Sequence, residues 1–415
     1  MTTPSVAALV RWPGCPGRLP TLARRRAPAW LIRRRALLPA FRGTADHKEA
    51  RVKAAVLNGF DGVFDIEDLR IANLVGREVM VDVKASGLCR SDLHLAQHGF
   101  GFPVPGVLGH EVAGVVTEIG PDVTQCAVGD HVVGSLIQYC GACAACLDGR
   151  TYQCAHPEAT LRSADQPGRL TRYGATVHQI YGLGAFAEQV LAHENQLTPI
   201  PAEVPFAQAA VLGCATITGA GAALNTARVR PGDTVAVVGV GGVGLNVISG
   251  AVLAGAERII AIDVGAPKLV LARRFGATDT INSTEVEPDA ALRKIVPLGV
   301  DHAFEAVGLK QTSELAVKLT RVGGGAYLIG VHRPGSTIEL EVVGDLLACQ
   351  RRVQGVHMGS TNPKRDIPMY AELYRQRRLN LDELISTEIR LDDINNAYRQ
   401  LVERPDIARM VITRF

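Results

Sequence analysis

From Val52 onward, the apolar positions follow two different periods. The pieces "VKAAVL", "REVMVDVKASGLC", "HEVAGVVTEIG", "GDHVVGSL" and "GAFAEQVLAHENQLTPI" are short, rich in β-formers and punctuated by glycine and proline. That pattern predicts an all-β, barrel-like region. Around "PFAQAAVLGCATITGAGAAL" the spacing turns helical. After "RPGD" the text reads strand, turn, helix, strand: "TVAVVGVG" is an apolar run of buried-strand length, "GGVGLNVISGAVLAGA" a glycine-opened helix, and "RIIAID" the next strand. The alternation continues through "DHAFEAVG" and "GGGAYLIGV". Near-continuous apolar strands separated by helices predict a parallel sheet covered on both faces. In "DDINNAYRQLVER" a helix is expected from the acidic start at Asp392, with Ile394, Ala397, Tyr398, Leu401 and Val402 on one face. No internal repeat stands out.

Length and charge narrow the partners. At 415 residues the chain exceeds a single ordinary core, so two or three domains are expected. The net charge of +3 reflects mostly the first fifty residues, where Arg24–Arg26 and Arg33–Arg35 form two triplets. Residues 1–51 are rich in Arg and Pro and hold no acid before Asp46, but six prolines interrupt any amphipathic helix. They are expected to be a disordered extension, or translated sequence upstream of the true start, rather than a transit peptide. The remainder is close to neutral, which gives a nucleic-acid partner no electrostatic support. No apolar run approaches the roughly eighteen residues of a membrane span, and no secretory signal is seen, so a cytoplasmic location is expected.

The cysteines are nine, an odd number in a large chain without an export signal, which argues against a disulfide framework. Cys140, Cys143, Cys146 and Cys154 follow C-x2-C-x2-C-x7-C. Four thiolates satisfy tetrahedral Zn²⁺ and close the site to water. An iron–sulfur cluster is the rival, but the spacing differs from the ferredoxin runs. A second group is scattered: Cys89 in "GLCRSDLH", His110 and Glu111 in "LGHE", and Cys214 in "LGCATITG". Two thiolates and one imidazole leave a coordination position open, as a catalytic zinc requires.

"GVGGVG" places Gly239, Gly241 and Gly244, with Gly242 between them, after a strand and at the start of a helix. The spacing is that of a dinucleotide loop, which sets a pyrophosphate on the helix N-terminus. Asp263 ends the following strand, where a carboxylate accepts hydrogen bonds from ribose hydroxyls and repels a 2′-phosphate. No arginine follows in "DVGAPK", so NAD is expected over NADP.

"LCRSDLH", "GVLGHEVAGVV", the cysteine lobe, "LGCATITGAGAA" and "VGVGGVG" occur in the order found in zinc-dependent medium-chain alcohol dehydrogenases. The chain resembles that family from Val52 to Phe415, with likeness to its bacterial, class III-like branch. The resemblance implies an α/β plus β fold: a Rossmann doubly wound coenzyme domain and a GroES-like β-barrel catalytic domain. It places the catalytic domain at 52–225 with a structural-zinc lobe at 139–155, the NAD-binding domain at 226–367, and a completing C-terminal segment at 368–415. It further implies that Cys89, His110 and Cys214 hold a catalytic zinc with Glu111 behind it. Asp92 matches the acid that orients His110. Ser91 and His94 resemble the proton-relay pair, Arg90 and Arg409 match positions touching the pyrophosphate, and Lys268 lies near the adenosine ribose. Two zincs and NAD per chain, a small alcohol or aldehyde substrate, and a homodimer or homotetramer follow as expectations.

Phe100 and Phe102, in "AQHGFGFPVPGVLGHE", suit a hydrophobic alcohol near the substrate channel. The alternative substrate is the adduct of formaldehyde with a low-molecular-weight thiol. A non-catalytic cofactor-binding relative is the reading from another class; a lost ligand or relay residue would mark it, and none is missing. The charged, glycine-rich segment "ATLRSADQPGRLTRYGATVHQIYG" is expected to form a loop or hairpin near the cleft.

Overall fold

The computed structural model describes residues 50–404 and 406–415, so the expected disordered extension lies, up to residue 49, outside the described residues. The first strand, Ala50–Leu57, begins just inside that stretch because Ala50 and Arg51 still pair with Ile71 and Arg70. It closes a small barrel with Phe64–Ile71, Leu170–Arg172, Ala175–Gln179 and Gly106–Val107. The segment expected to be a loop or hairpin supplies two of these strands, joined by a tight turn at Tyr173 and Gly174 with positive φ at both. Its sequence hides the strands because the barrel buries only one side of them.

Beside the barrel lies a seven-stranded sheet whose central strand is Glu78–Leu88. This strand pairs antiparallel with Glu111–Ile119, Gln189–His193 and, at its far end, Met410–Arg414. The C-terminus of the chain is thus stitched into the same sheet as its first third.

Residues 234–355 form a six-stranded sheet in the order Asp279–Asn282, Arg258–Asp263, Thr234–Val238, Val300–Glu305, Thr320–Leu328, Arg352–Gly355, with every neighbouring pair parallel. In Thr234–Val238, Val235 and Val237 enter one core while Ala236 and Val238 enter another. Alternate side chains therefore feed opposite faces, and helices such as Gly242–Ala254 and Lys310–Leu319 cover them. This is a Rossmann-type doubly wound sheet beside a GroES-like β domain, as expected.

Two details depart from the sequence reading. Helix Phe206–Ala227 is, among the described residues, long and apolar enough by length and composition to cross a membrane, although its sequence holds no unbroken apolar run of that length. In its most apolar window 83% of residues are buried inside the protein, so it reads as a core helix. It packs so closely on Gly242–Ala254 that a Cβ at Gly250 would stand 2.7 Å from the Ala220 Cα. In helix Ile394–Glu403, Ile394, Ala397, Tyr398 and Leu401 are buried but Val402 is 55% exposed. Its position is about 80° around the helix from Ile394, which takes it off the buried stripe.

The segment 155–170 is tied down by charge. Glu78 is buried and accepts from Arg162 Nη2 at 2.6 Å and Arg169 Nε at 2.7 Å. The guanidiniums also donate to the carbonyls of Asn73 and Thr160. Burial opposes ionisation of Glu78, but Arg162 and Arg169 outweigh it and hold the carboxyl below its ordinary range. Such a group stabilises fully above its unfolded pKa and loses that contribution as pH falls through the folded one. Glu78→Gln leaves two buried cations against a neutral amide and should cost about 3 kcal/mol in denaturant unfolding near neutral pH. That deficit should shrink as the pH is lowered through the carboxylate range.

Candidate metal and cofactor site

Cys89 follows the central strand at the N-cap position of helix Arg90–His98; His110 immediately precedes the neighbouring strand, which Glu111 opens. Cys214 arrives from helix Phe206–Ala227, at a π-turn spanning Leu212–Thr216. Such a local widening of a helix is frequent at functional sites. One donor atom each from Cys89, His110, Glu111 and Cys214 lie within 4.8 Å of one another, and all four residues are buried.

The surroundings of this cluster set the donors. Asp92 Oδ1 lies 3.0 Å from His110 Nδ1 with both side chains fully buried, and it also accepts from the Gly109 N–H. The other ring nitrogen, His110 Nε2, is buried with no hydrogen-bond partner. Burial disfavours a charged imidazole there, but the Asp92 carboxylate outweighs it and lifts His110 well above its usual range. A hydrogen bond from Cys214 pulls the Cys89 thiol well below its usual range, against burial. Ser91 Oγ lies 3.1 Å from Cys89 Sγ. An orphaned buried imidazole nitrogen beside an acidified thiol fits a soft-tolerant cation such as zinc.

The other cysteine group also converges. The sulfurs of Cys143 and Cys146 are 3.5 Å apart, those of Cys143 and Cys154 3.9 Å, and those of Cys140 and Cys146 4.0 Å. Four thiolates at Zn–S distance around one ion define a tetrahedron with edges of about 3.8 Å, well outside disulfide bonding. Backbone N–H groups of Ala142 and Cys143 point at Cys140, and those of Cys140 and His156 at Cys154. N–H donors from Ala155 and Cys146 bring Cys143 down to about 6. All eight described cysteines are free.

The glycine loop joins Thr234–Val238 to helix Gly242–Ala254. Gly239 has φ +89°, and a Cβ at Gly244 would collide with the Gly239 carbonyl, so helix and strand meet only through glycine. A Cβ at Gly241 would meet no protein atom, whereas one at Gly242 would lie 2.6 Å from Arg409 Nη2. Asp263 Oδ2 accepts from the Val240 N–H at 2.9 Å and Oδ1 from the Gly265 N–H at 2.9 Å, which pins the carboxylate beside the loop. Lys268 sits half-buried on the next helix. Arg90 is exposed at the start of its own helix and donates to the Leu401 carbonyl. His94 is half-buried, and its Nδ1 has no partner.

Two family models match the chain: the alcohol dehydrogenase GroES-like domain over residues 76–202 and the zinc-binding dehydrogenase over 242–375. Alcohol dehydrogenase B of Mycobacterium tuberculosis is 34% identical over 378 residues, covering 87% of this chain and 98% of that protein. The chain belongs to the zinc-dependent medium-chain alcohol dehydrogenase family. Among solved structures, an alcohol dehydrogenase zinc-binding domain protein from Burkholderia ambifaria superposes with TM-score 0.83 at 35% identity, over 88% of this chain and 98% of that one. Benzyl alcohol dehydrogenase from Acinetobacter calcoaceticus gives 0.81 at 33% identity, over 88% and 100%. Family membership makes this chain an oxidoreductase that binds zinc and a nicotinamide cofactor.

The geometry gives Arg409 contacts beyond its expected one and adds residues that the motifs leave out. Arg409 is buried, donates to the Leu88 carbonyl at 2.9 Å and ion-pairs with Glu111 at 3.3 Å while lying against Gly242. It therefore links the donor cluster to the glycine loop. Tyr398 donates to the Cys89 carbonyl from the far side. Tyr181 sets its ring edge-on to His110 at 5.8 Å. Burial pushes the Tyr181 phenol above its ordinary range. Gly87 leaves room for the Glu111 carboxylate, with which a Cβ would collide. The only sequence signal for it is the small residue two places before Cys89. Gly87→Ala should drive that carboxylate off Arg409 and cost about 2 kcal/mol, seen as a lower urea midpoint with an unchanged slope.

Proposed function

We propose that this chain is an NAD-dependent zinc alcohol dehydrogenase that reversibly oxidises hydrophobic primary or secondary alcohols, aryl alcohols among them, to aldehydes or ketones. The observation that carries the reading is the convergence of Cys89, His110 and Cys214 on one buried point, with His110 Nε2 left bare. Tyr181, edge-on to His110, with Phe102 against it at 4.8 Å between ring centroids, favours an apolar substrate over a charged thiol adduct.

In this reading Cys89, His110 and Cys214 hold a zinc that supplies Lewis acidity toward the substrate oxygen, and bound NAD supplies the hydride acceptor. Asp92 fixes the His110 tautomer by accepting a hydrogen bond from Nδ1–H, so that Nε2 faces the donor cluster. Ser91 Oγ, beside Cys89, is placed to receive the alcohol proton and pass it outward. Burial, with the charges of Arg90, His98 and Arg333, depresses His94 below its ordinary pKa. Its imidazole is therefore neutral at neutral pH and ready to take the proton at the solvent side. Asp263 receives the adenosine ribose, with Lys268 near it, and Gly241 opens space for the pyrophosphate, with Arg90 and Arg409 as its cationic surroundings. The lobe at 139–155 holds a second, structural zinc through Cys140, Cys143, Cys146 and Cys154. A second copy of the chain is the proposed partner of the outer strand Arg352–Gly355. Among the described residues that strand has a single neighbour, and it lies close in sequence to the exposed Val342, Val343 and Leu347.

Turnover of benzyl and other primary alcohols should favour NAD over NADP by on the order of a hundredfold in kcat/KM, because Asp263 repels a 2′-phosphate. Ser91→Ala should lower kcat by about a hundredfold or more with zinc retained. Turnover confined to formaldehyde mixed with glutathione or mycothiol would instead favour the adduct reading, and equal use of both cofactors would remove Asp263 from its role.

Elemental analysis should find two zincs per chain, one for each donor cluster. Cys143→Ser should lose one of them and several degrees of Tm, since binding energy of a structural ion is folding energy. A variant that keeps both ions and the wild-type Tm would refute a closed site in the lobe.

A further inference from the structure

Tyr181 is held in an uncommon conformation beside the donor cluster. Its φ of 55° and ψ of 17° lie in the left-handed region, which a bulky residue occupies only when its surroundings compel it. Gly182 follows with φ +71°, and the Tyr181 carbonyl accepts from Gln196 Nε2 at 2.8 Å, so the turn is fixed from behind. The ring is wedged edge-on between Phe102, at 4.8 Å and 69°, and His110, at 5.8 Å and 76°. Phe100, itself at φ 49°, packs with Phe102, Val104 and Tyr181 on the same barrel core. Two segments distant in sequence thus spend backbone strain to present aromatic rings at one wall.

The phenol oxygen is the unexplained part. Of the tyrosine hydroxyls, those of Tyr327, Tyr374 and Tyr398 lie on His302, Asp382 and the Cys89 carbonyl, and that of Tyr370 is sealed in the core without a partner. The Tyr181 hydroxyl makes no hydrogen bond to any described residue, and it is not among the sealed, unpartnered atoms of the core. A donor kept free in an otherwise apolar wall beside the reacting centre is available to the substrate.

We infer that Tyr181 is a specificity-determining residue whose hydroxyl donates to a second oxygen on the substrate, selecting aryl alcohols that carry a ring hydroxyl or ether over purely hydrocarbon ones. This rests on the alcohol dehydrogenase reading above and names the substrate class of that same site. A site that keeps a polar group for the substrate discriminates strongly against analogues that leave it unpaired, whereas apolar contacts discriminate weakly. The wall would accept either ring from shape alone; the hydroxyl makes the difference.

The test compares kcat/KM with NAD for 3- and 4-hydroxybenzyl alcohol against the near-isosteric 3- and 4-methylbenzyl alcohols, in the wild-type enzyme and in Tyr181→Phe. The wild type should favour at least one hydroxylated isomer by roughly tenfold or more, and Tyr181→Phe should collapse that ratio to within about threefold of unity. A wild-type ratio already near unity overturns the inference, and so does a ratio that survives in Tyr181→Phe. A wild type that oxidises none of the four alcohols, nor benzyl alcohol, overturns the dehydrogenase reading itself and the inference with it. An active but unselective wild type overturns the inference alone.

Discussion

One antiparallel register holds the centre of this molecule together. Strands Glu78–Leu88 and Glu111–Ile119 pair Gly87 with Glu111 and Ser86 with Val112. That alignment sets Cys89, just beyond one strand end, beside His110, just before the other strand begins. On the opposite flank Leu88 pairs with Met410, which delivers Arg409 to the same level. A slip of one residue would turn Glu111 to the other face and separate the donors. The register is possible because position 87 carries no side chain, so the Glu111 carboxylate fits against its partner strand.

This arrangement also explains why the two sheets behave as one site. Arg409 belongs to the β domain by its strand neighbours, yet its guanidinium lies over Gly242 at the start of the nucleotide-loop helix. It is held there by the Leu88 carbonyl and by Glu111, while its Nε is buried without a partner. Its positive charge therefore faces the donor cluster on one side and the loop on the other. The loop is held from its own domain by Asp263 on the Val240 N–H. Arg409 is thus a buried link between donor cluster and glycine loop, beside the close packing of Phe206–Ala227, which carries Cys214, on the loop's own helix.

Much of this was legible in the chain. The change of period near Phe206, the glycine spacing and the four close cysteines each reflect a local constraint, so local text reveals them. Cys89, His110 and Cys214 were legible only through their order along a familiar family pattern, because convergence over more than a hundred residues leaves no local trace. What stayed hidden depends on packing. Val402 shares the apolar character of its helix neighbours but falls beside the buried stripe. Phe206–Ala227 contains polar residues that break any apolar run, yet most of the helix lies within a core. Tyr181 sits in a segment that reads as surface text because the left-handed turn aiming its ring is set by Gln196 and Gly182, not by a motif.

Charge balance gives the donor cluster its final constraint. With His110 neutral, the thiolates of Cys89 and Cys214 and the carboxylates of Asp92 and Glu111 would face, among the described residues buried there, the guanidinium of Arg409. Bare ions of one sign are costly to bury, so the ion-free protein must retain protons there. The titration pattern follows that demand: burial, with Arg409 opposing it, moves Glu111 up to about 7, and Cys214 is pushed well above its usual range by its bond to Cys89 and by burial. A divalent cation removes the need for those protons and brings the cluster within about one charge of neutrality. Loading must therefore release protons and grow tighter as pH rises through the neutral range. The buried pair of Asp92 and His110 keeps its shape through that exchange, since its bond lies on the side of the imidazole away from the donors.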